Sequence, residues 1–349
     1  MSDIAAIDPN FSVSEAFGRE DVVMRNCREE PFSVHGVFYR DGLFRRLPEE
    51  VAKTVNEGVL RTHSHTAGGR VRFVTDSPFV ALTARMPVRN VLPHMPLTGV
   101  AGFDLYADGE YAGTFVPPCG FEGGYSGILS FSDCRRRVVT IDFPLYNPVS
   151  DLFVGLAADA ALEPAPSYRH ALPAVFYGSS ITQGACASRP GTCYEAILSR
   201  RFDFDYVNLG FSGSAKGEDT IIEYLASMPC SVFFLDYDHN APSPAHLAET
   251  HERLFRAFRK THARTPVVMM SRPRARFRGD DAARREAVLA TYRRAVAEGD
   301  RNVYFLDGAA LTVLCGTDGL VDGTHPTDLG FASMAAALGD LCEREGLFA

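Results

Sequence analysis

The sequence contains no tryptophan and no excess of basic residues. Its 349 residues include 35 Lys and Arg against 43 Asp and Glu, which gives a formal net charge of -8 at pH 7. Because binding to a phosphate backbone needs clustered cations, this balance argues against a nucleic-acid partner. The missing tryptophan removes the broadest stacking surface for a sugar, although 13 Tyr and 25 Phe are available for that role.

Long apolar runs are missing as well. No stretch approaches the ~18 consecutive apolar residues of a membrane-spanning helix. The segment Met1–Phe11 lacks the basic start and apolar centre of a secretory signal. We therefore expect a cytoplasmic protein without a membrane partner, and the sequence leaves its oligomeric state open.

The eight cysteines lack the paired CxxC spacing of zinc sites. Most lie inside apolar patterns, so reduced and packed thiols are expected in the cytoplasm. Cys186 and Cys193 bracket one loop and leave a disulfide as the less favoured alternative. Two catalytic motifs are also absent, the GxxxxGK phosphate loop and the G-x-S-x-G elbow, which argues against nucleotide-binding proteins and α/β-hydrolases.

Short apolar runs separated by turn residues dominate the chain up to about residue 150. The predicted strands include Val71–Thr75, Phe79–Met86 and Val138–Phe143. Two more runs, Phe103–Tyr106 and Tyr111–Phe115, flank Asp108-Gly109, a dipeptide typical of two-residue hairpin turns. We therefore predict an antiparallel, jelly-roll-like β-sandwich domain over residues 1–165.

The second half alternates short apolar strands with amphipathic helices. The strand candidates are Ala174–Tyr177, Tyr206–Leu209, Val232–Leu235, Pro266–Met270 and Val303–Leu306. Two helical faces are predicted, one formed by Leu247, Leu254, Phe255 and Phe258 and the other by Val288, Tyr292 and Val296. This alternation predicts a three-layer α/β/α domain with a parallel sheet over residues 171–349, joined through a proline-rich linker at Glu163–Pro173.

Residues just after the strands of a parallel sheet are the place to search for a site. Four blocks stand out there, each of them containing a residue type that ester cleavage needs: Ser180 in Gly-Ser-Ser, Gly213 in Phe-Ser-Gly, Asn240 in Asp-His-Asn, and Asp322 with His325 in Asp-Gly-Thr-His. A serine hydroxyl needs a base to take its proton, and histidine suits that role near neutral pH.

These residues suggest a complete set of catalytic groups. His325 is the candidate base, and Asp322 would hold its ring in the required tautomer. Backbone N–H groups of Ser180 and Gly213 and the side-chain amide of Asn240 would stabilise the oxyanion of a tetrahedral intermediate. Each residue also has a plain structural alternative, since serine and aspartate cap helices and glycine and asparagine organise turns.

The order of the four blocks resembles the signature of the SGNH (GDSL-like) hydrolase family. The resemblance implies that Ser180 is the nucleophile, that Gly213 and Asn240 belong to the oxyanion hole, and that Asp322 and His325 complete a triad. Ser179 stands where the common form has aspartate, and Asp-His-Asn replaces Gly-x-Asn-Asp. The segment Gly102–Tyr106 is similar to the GxDLY motif of a sandwich domain that precedes one SGNH subfamily.

The resemblance implies a serine esterase that acts on small O-acyl esters, with acetyl groups on carbohydrates as the expected substrates and no cofactor. An acyltransferase using the same site is the first alternative. Arg189, Arg272 and His239 are candidate substrate-binding residues, although surface ion pairing is the commoner role of such arginines.

Two further classes stay open. A metal-dependent hydrolase would use Asp236, Asp238, His239, Asp322 and His325 as ligands. A non-catalytic carbohydrate-binding protein would use the sandwich alone. We expect instead that the sandwich packs against the second domain and shapes the mouth of its site.

Overall fold

The computed structural model describes residues 17–349, so that the Met1–Phe11 segment lies outside the described residues. The first half forms two antiparallel sheets and a small hairpin. Its strands are β1 (Val22–Asn26), β2 (Ser33–His35), β3 (Phe38–Arg40), β4 (Leu43–Arg45), β5 (Arg70–Thr75), β6 (Phe79–Arg85), β7 (Phe103–Ala107), β8 (Glu110–Phe115), β9 (Gly124–Ser130), β10 (Arg137–Asp142), β11 (Asp151–Ala157) and β12 (Leu162–Glu163). One sheet has the order β1-β11-β6-β9, the other has the order β12-β5-β10-β7-β8 with β2 paired to β5, and β3 pairs with β4.

The predicted hairpin at Asp108-Gly109 is confirmed. Strands β7 and β8 pair antiparallel across this dipeptide. Asp108 has a φ of 52° and Gly109 a φ of 84°, the left-handed backbone that a two-residue hairpin turn of this type demands at both positions. The dipeptide therefore sets the point where the chain reverses between β7 and β8, and the register shifts further along, between Leu105 and Tyr106.

Three short helices interrupt the strands of the first half. They are α1 (Glu49–Val55), α2 (Glu57–Thr62) and α3 (Leu97–Ala101). The carboxamide oxygen of Asn56 accepts a hydrogen bond from the Val59 backbone N–H and so caps the start of α2. These helices lie outside the two sheets and contribute to the surface that faces the second half.

The second half is a five-stranded parallel sheet in the order β14-β13-β15-β16-β17. Its strands are β13 (Ala174–Gly178), β14 (Tyr206–Gly210), β15 (Phe233–Asp236), β16 (Val267–Met270) and β17 (Val303–Leu306), and its helices are α4 (Ser180–Gln183), α5 (Tyr194–Phe202), α6 (Asp219–Ser227), α7 (Pro244–Thr261), α8 (Asp281–Ala297), α9 (Gly308–Leu311) and α10 (Asp328–Glu345). No helix of residues 17–349 is long and apolar enough to span a bilayer.

Helices cover both faces of this sheet, as predicted. Phe176 and Phe234 belong to an apolar cluster with α5 and α10, whereas Val175 and Phe233 belong to a cluster with α6, α7 and α8. Successive residues of a strand point to opposite faces, so both faces of the sheet are buried. The architecture is therefore three-layered.

One predicted helical face needs a correction. The face of α7 is buried as expected, but on α8 Val288 is buried whereas Val296 is 40% exposed. The buried residue near the end of α8 is Ala295. Position 295 follows Val288 by seven residues, close to two full turns, so it lies nearer to the buried stripe than position 296 does.

The two halves share one apolar core. Val71 and Phe143 of the sandwich pack in the same cluster as Phe176 and Tyr206 of the parallel sheet. No helix or strand lies between residues 164 and 173 of the described chain. The packing is continuous across the linker, so it does not mark a boundary between two domains. The predicted division at residues 165 and 171 stays a prediction.

A buried arginine also joins the halves. The Arg46 guanidinium, 1% exposed, donates to the backbone oxygens of Asn208 and Gly210 at 3.1 and 2.6 Å. It also donates to the oxygens of Thr62 and His65 at 2.8 and 2.7 Å. Burial lowers the pKa of Arg46 to about 9. The end of β14 is thus held from the first half of the chain.

Candidate active site

Ser180 lies at the sharp junction between β13 and α4. The Ser179 Oγ accepts a hydrogen bond from the Ile181 backbone N–H at 3.1 Å and so caps α4, which leaves the neighbouring Ser180 free of a capping role. A Cβ at Gly178 would lie 2.0 Å from the Thr182 Oγ1, so only glycine allows the helix to begin this close to the strand. Ser179 therefore supplies the capping oxygen at the position where the common motif has aspartate.

Ser180, His325 and Asp322 form a hydrogen-bonded chain. The Ser180 Oγ is 2.8 Å from the His325 Nε2, and the His325 Nδ1 is 2.7 Å from the Asp322 Oδ2. An ionised carboxylate can only accept hydrogen bonds, so the ring proton belongs on Nδ1. The Nε2 lone pair then faces the serine hydroxyl, as general-base catalysis requires.

Asp322 is held as an anion. Its partial burial raises the pKa, but hydrogen bonds from the His325 backbone and ring and from the Thr324 backbone N–H lower it to a net value of about 2. The two backbone bonds to Oδ1 are 2.8 and 2.9 Å long. They fix the carboxylate in a turn, and the cap of the following helix α10 is Thr327 instead.

Gly213 lies in the turn that follows β14. Its φ is 67°, a left-handed conformation that favours glycine. The preceding Ser212 N–H donates to the Gln183 Oε1 at 3.0 Å, which attaches this turn to α4. Within residues 17–349 the Gly213 N–H makes no backbone or side-chain hydrogen bond, so it is free to donate to a bound group.

Asn240 ends a short 3₁₀ helix, Asp238–Asn240, after β15. Its Nδ2 donates to the Phe211 backbone oxygen at 2.9 Å, which places the amide beside the Gly213 turn and leaves its second N–H available. The buried Asp238 accepts from the Arg272 backbone N–H at 2.9 Å. This contact fixes the loop in which Asp-His-Asn replaces the common sequence.

Arg189 forms an ion pair with the sandwich half. Its Nη1 lies 2.8 Å from the carboxylate of the fully buried Asp104 and 2.7 Å from the Tyr106 hydroxyl. The Gly191 N–H donates to the same Asp104 oxygen at 2.8 Å. Asp104 and Tyr106 belong to the GxDLY-like segment, so this motif joins the sandwich to the 189–191 loop and Arg189 is used in that contact.

Arg272 belongs to an internal ion-pair network. Its guanidinium lies 3.3 Å from Asp238 and 3.1 Å from Asp281, and both carboxylates are buried. Arg284 also lies 3.7 Å from Asp238. Both arginines thus form structural ion pairs, because buried carboxylates need compensating charge, and their predicted contact with a substrate stays a prediction.

We expect Arg189→Met to lower the free energy of unfolding by about 2–3 kcal/mol, because Asp104 would keep a buried charge without its cation. The KM for a neutral ester should stay within about twofold of the wild-type value, since Arg189 faces the sandwich. Thermal unfolding and steady-state kinetics check the two halves of this expectation. Arg276→Met, at an exposed arginine, is the matched control. A large rise in KM without loss of stability would instead support the substrate-binding role.

The residues of the metal-dependent alternative do not gather around one point. Asp236 accepts from the Thr182 Oγ1 at 3.0 Å, and burial raises the pKa of Asp236 to about 7. Asp238 is paired with arginines, and Asp322 is bonded to His325. His239 is kept neutral because burial and nearby arginines hold its pKa well below the usual range.

His239 is partly exposed, but one of its ring nitrogens is buried. Its Nε2 is buried and has no hydrogen-bond partner among the described residues. The prediction that this imidazole contacts a substrate therefore stays a prediction.

The two cysteines of the nearby loop are both free thiols. No disulfide joins Cys186 and Cys193.

Sequence patterns gave no indication of a cavity of about 300 Å³ beside α4. It is lined by Arg61, Thr62, His65, Asn90, Val91, Leu92, Tyr146 and Ser212. The Tyr146 hydroxyl donates to the Ser180 backbone oxygen at 3.3 Å, and Ser212 precedes Gly213, so the cavity borders the proposed oxyanion hole. Seven of its eight lining residues belong to the first half of the chain, where no local motif marks them.

Two protein-family models together match most of the chain. Residues 171–342 match the GDSL-like lipase/acylhydrolase family, and residues 23–162 match the N-terminus of SGNH hydrolase-type esterases. Among curated proteins no match was found.

Solved structures share the whole fold. A protein from Bacteroides ovatus described as a GDSL-like lipase is 27% identical, with a TM-score of 0.82 over 93% of this chain and 98% of its own. A salicylyl-acyltransferase from a tetracycline biosynthetic pathway is 21% identical, with a TM-score of 0.77 over 94% and 98%. A family two carbohydrate esterase from Cellvibrio japonicus is 11% identical, with a TM-score of 0.62 over 94% and 99%. At their low identities, the last two show the fold alone.

Proposed function

Because the chain belongs to the GDSL-like lipase/acylhydrolase family and is an esterase, we propose that it hydrolyses small O-acyl esters, above all acetyl groups on carbohydrates, through an acyl-enzyme on Ser180. The observation that carries the proposal is the chain of hydrogen bonds at 2.8 and 2.7 Å from Ser180 through His325 to Asp322. These contacts support the roles of Ser180 as nucleophile, His325 as base and Asp322 as orienting anion.

The proposed reaction has two symmetrical steps. The Ser180 oxygen attacks the ester carbonyl while its proton passes to the His325 Nε2, and Asp322 stabilises the resulting imidazolium. The N–H groups of Ser180 and Gly213 and the amide of Asn240 donate to the oxyanion. Collapse of the intermediate releases the alcohol, which takes the proton from His325. Water then attacks the acyl-enzyme by the same route and releases the carboxylic acid.

The cavity beside α4 supports a short acyl group and a hydroxyl-rich alcohol. Its 300 Å³ lies at the small end of the usual ~300–1,000 Å³ for small-molecule sites, which disfavours a long acyl chain. Most of its lining side chains are polar, including Arg61, His65 and Asn90, and such groups suit sugar hydroxyls. The fold shared with a carbohydrate esterase agrees with this choice.

A series of p-nitrophenyl esters together with acetylated oligosaccharides tests the substrate class. We expect kcat/KM to fall by at least about tenfold from acetate to octanoate, since each added methylene must find apolar surface that the cavity lacks. Acetate release from the oligosaccharides should be saturable. A preference for octanoate would contradict the proposal.

Acyl transfer is the second candidate, because a salicylyl-acyltransferase shares the fold over 94% of the chain. Product analysis by mass spectrometry in the presence of a sugar alcohol distinguishes the two reactions. Free acid as the main product supports hydrolysis, whereas an acylated acceptor as the main product would replace it with transfer.

A further inference from the structure

Three side chains with metal-binding atoms meet beside Ser180, and the reaction described above uses only one of them. They are His94, Cys186 and His325, and their ligand atoms all lie within 4.8 Å of one another. The rings of His94 and His325 have centroids 6.3 Å apart. His94 comes from the sandwich half, so the cluster is assembled across the junction of the two halves.

Close packing of backbone segments holds this cluster together. A Cβ at Gly99 of α3 would lie 2.2 Å from the Ala187 backbone oxygen, so only glycine allows α3 to approach the loop of Cys186. The Thr98 Oγ1 donates to the Ser188 backbone oxygen at 2.5 Å. On the other side, the Cys186 N–H donates to the Pro326 backbone oxygen at 3.1 Å, which connects this loop to the segment of His325.

We propose that His94, Cys186 and His325 form an inhibitory site for a zinc ion. Zn²⁺ prefers nitrogen and sulfur ligands in a tetrahedral arrangement, with bonds of about 2.0–2.3 Å. Such bonds place neighbouring ligand atoms roughly 3.5 Å apart, so the ligand atoms of this cluster need to move only slightly closer to one another. His94 is exposed, and rotation of its ring can bring its nitrogen closer to the other two ligand atoms.

Binding at this site removes the base from the reaction. The His325 Nε2 lone pair, which accepts from the Ser180 hydroxyl at 2.8 Å, is donated to the metal instead. The Cys186 thiol loses its proton to solvent as the Zn–S bond forms. Three protein ligands leave the fourth tetrahedral position for water. The inhibitory effect rests on the proposed function, whereas binding of the metal does not.

Cobalt provides a test that is independent of activity. Titration of the full chain with Co²⁺ should produce thiolate-to-metal absorption and the intense visible bands of tetrahedral cobalt, with one ion bound per chain. His94→Ala and Cys186→Ser should each weaken binding by at least about tenfold, since even the loss of a ligand's partner costs ~10–100-fold. Cys119→Ser, at an exposed cysteine, is the matched control and should leave binding unchanged.

Kinetics with buffered Zn²⁺ provide the second measurement. Zinc should inhibit ester hydrolysis by the wild type, a chelator should restore the rate, and both variants should be inhibited only at about tenfold higher zinc or above. Equal binding by wild type and both variants, or full occupancy without loss of rate, would overturn the proposal. If the chain has no esterase activity, cobalt absorption that depends on Cys186 still supports the metal site and the failure belongs to the proposed function.

Discussion

Ser180→Ala is expected to lower kcat for an acetyl ester by about 10⁴-fold or more, because the residual rate would come from the oxyanion hole and binding alone. The substitution removes the one atom that forms the acyl-enzyme, while the His325–Asp322 pair stays in place at 2.7 Å. Thermal unfolding should change little, since the lost hydroxyl bonds only to a ring that water can reach. Burst kinetics with p-nitrophenyl acetate check the expectation, because burst and turnover should vanish together.

Ser179→Ala is the matched control for this prediction. It removes the Oγ that caps α4 from the adjacent residue and should cost about 1 kcal/mol of stability while keeping most of the activity. If Ser180→Ala keeps substantial turnover that a chelator abolishes, the serine mechanism is wrong and a metal-dependent reaction takes its place. If Ser179→Ala loses the burst instead, the two serines have been assigned in the wrong order.

Asn240→Ala is expected to lower kcat by about 10²–10³-fold with little change in KM, which is the usual effect of losing one oxyanion donor. The donor acts on a charge that develops only in the transition state, so binding of the ester itself should not suffer. Steady-state kinetics separate the two constants.

The Asn240 amide also donates to the Phe211 oxygen at 2.9 Å, so the variant needs a structural control. That single bond is worth about 1 kcal/mol, which thermal unfolding would detect as a small shift. Asn240→Asp keeps the shape but places a carboxylate beside the oxyanion, and it should be slower than the alanine variant. A rise in KM with unchanged kcat would show instead that Asn240 binds the ground state.

Local patterns were sufficient to predict the strands and the four blocks. Alternation of apolar residues defines β5, β6 and β10, and Asp108-Gly109 defines a turn, because these signals depend on neighbours in the chain. The candidate triad followed from residue types placed after strand ends, where the topology of a parallel sheet brings them together. The structure agrees with that placement.

The remaining features depend on contacts between distant positions. Arg189 lies 85 residues from Asp104 in the chain, and residue type alone could not show that a buried carboxylate pairs with it. His94 likewise lies in an irregular loop without periodicity and reaches His325 only because α3 packs closely on the 185–188 loop. The sequence therefore predicts that the first half shapes the mouth of the site, but it does not identify the residues of that half that lie there.

The buried Arg46 limits how this protein could have been assembled in evolution. Its guanidinium lies 162 residues from Asn208 in the chain, yet it supplies hydrogen bonds to the backbone directly before the Gly213 turn. A catalytic half that lost the sandwich would lose this cation and would expose the edge strand β14 to solvent. The two halves are therefore not interchangeable modules. A foreign sandwich could replace the natural one only if it brought an equivalent cation to the same two oxygens.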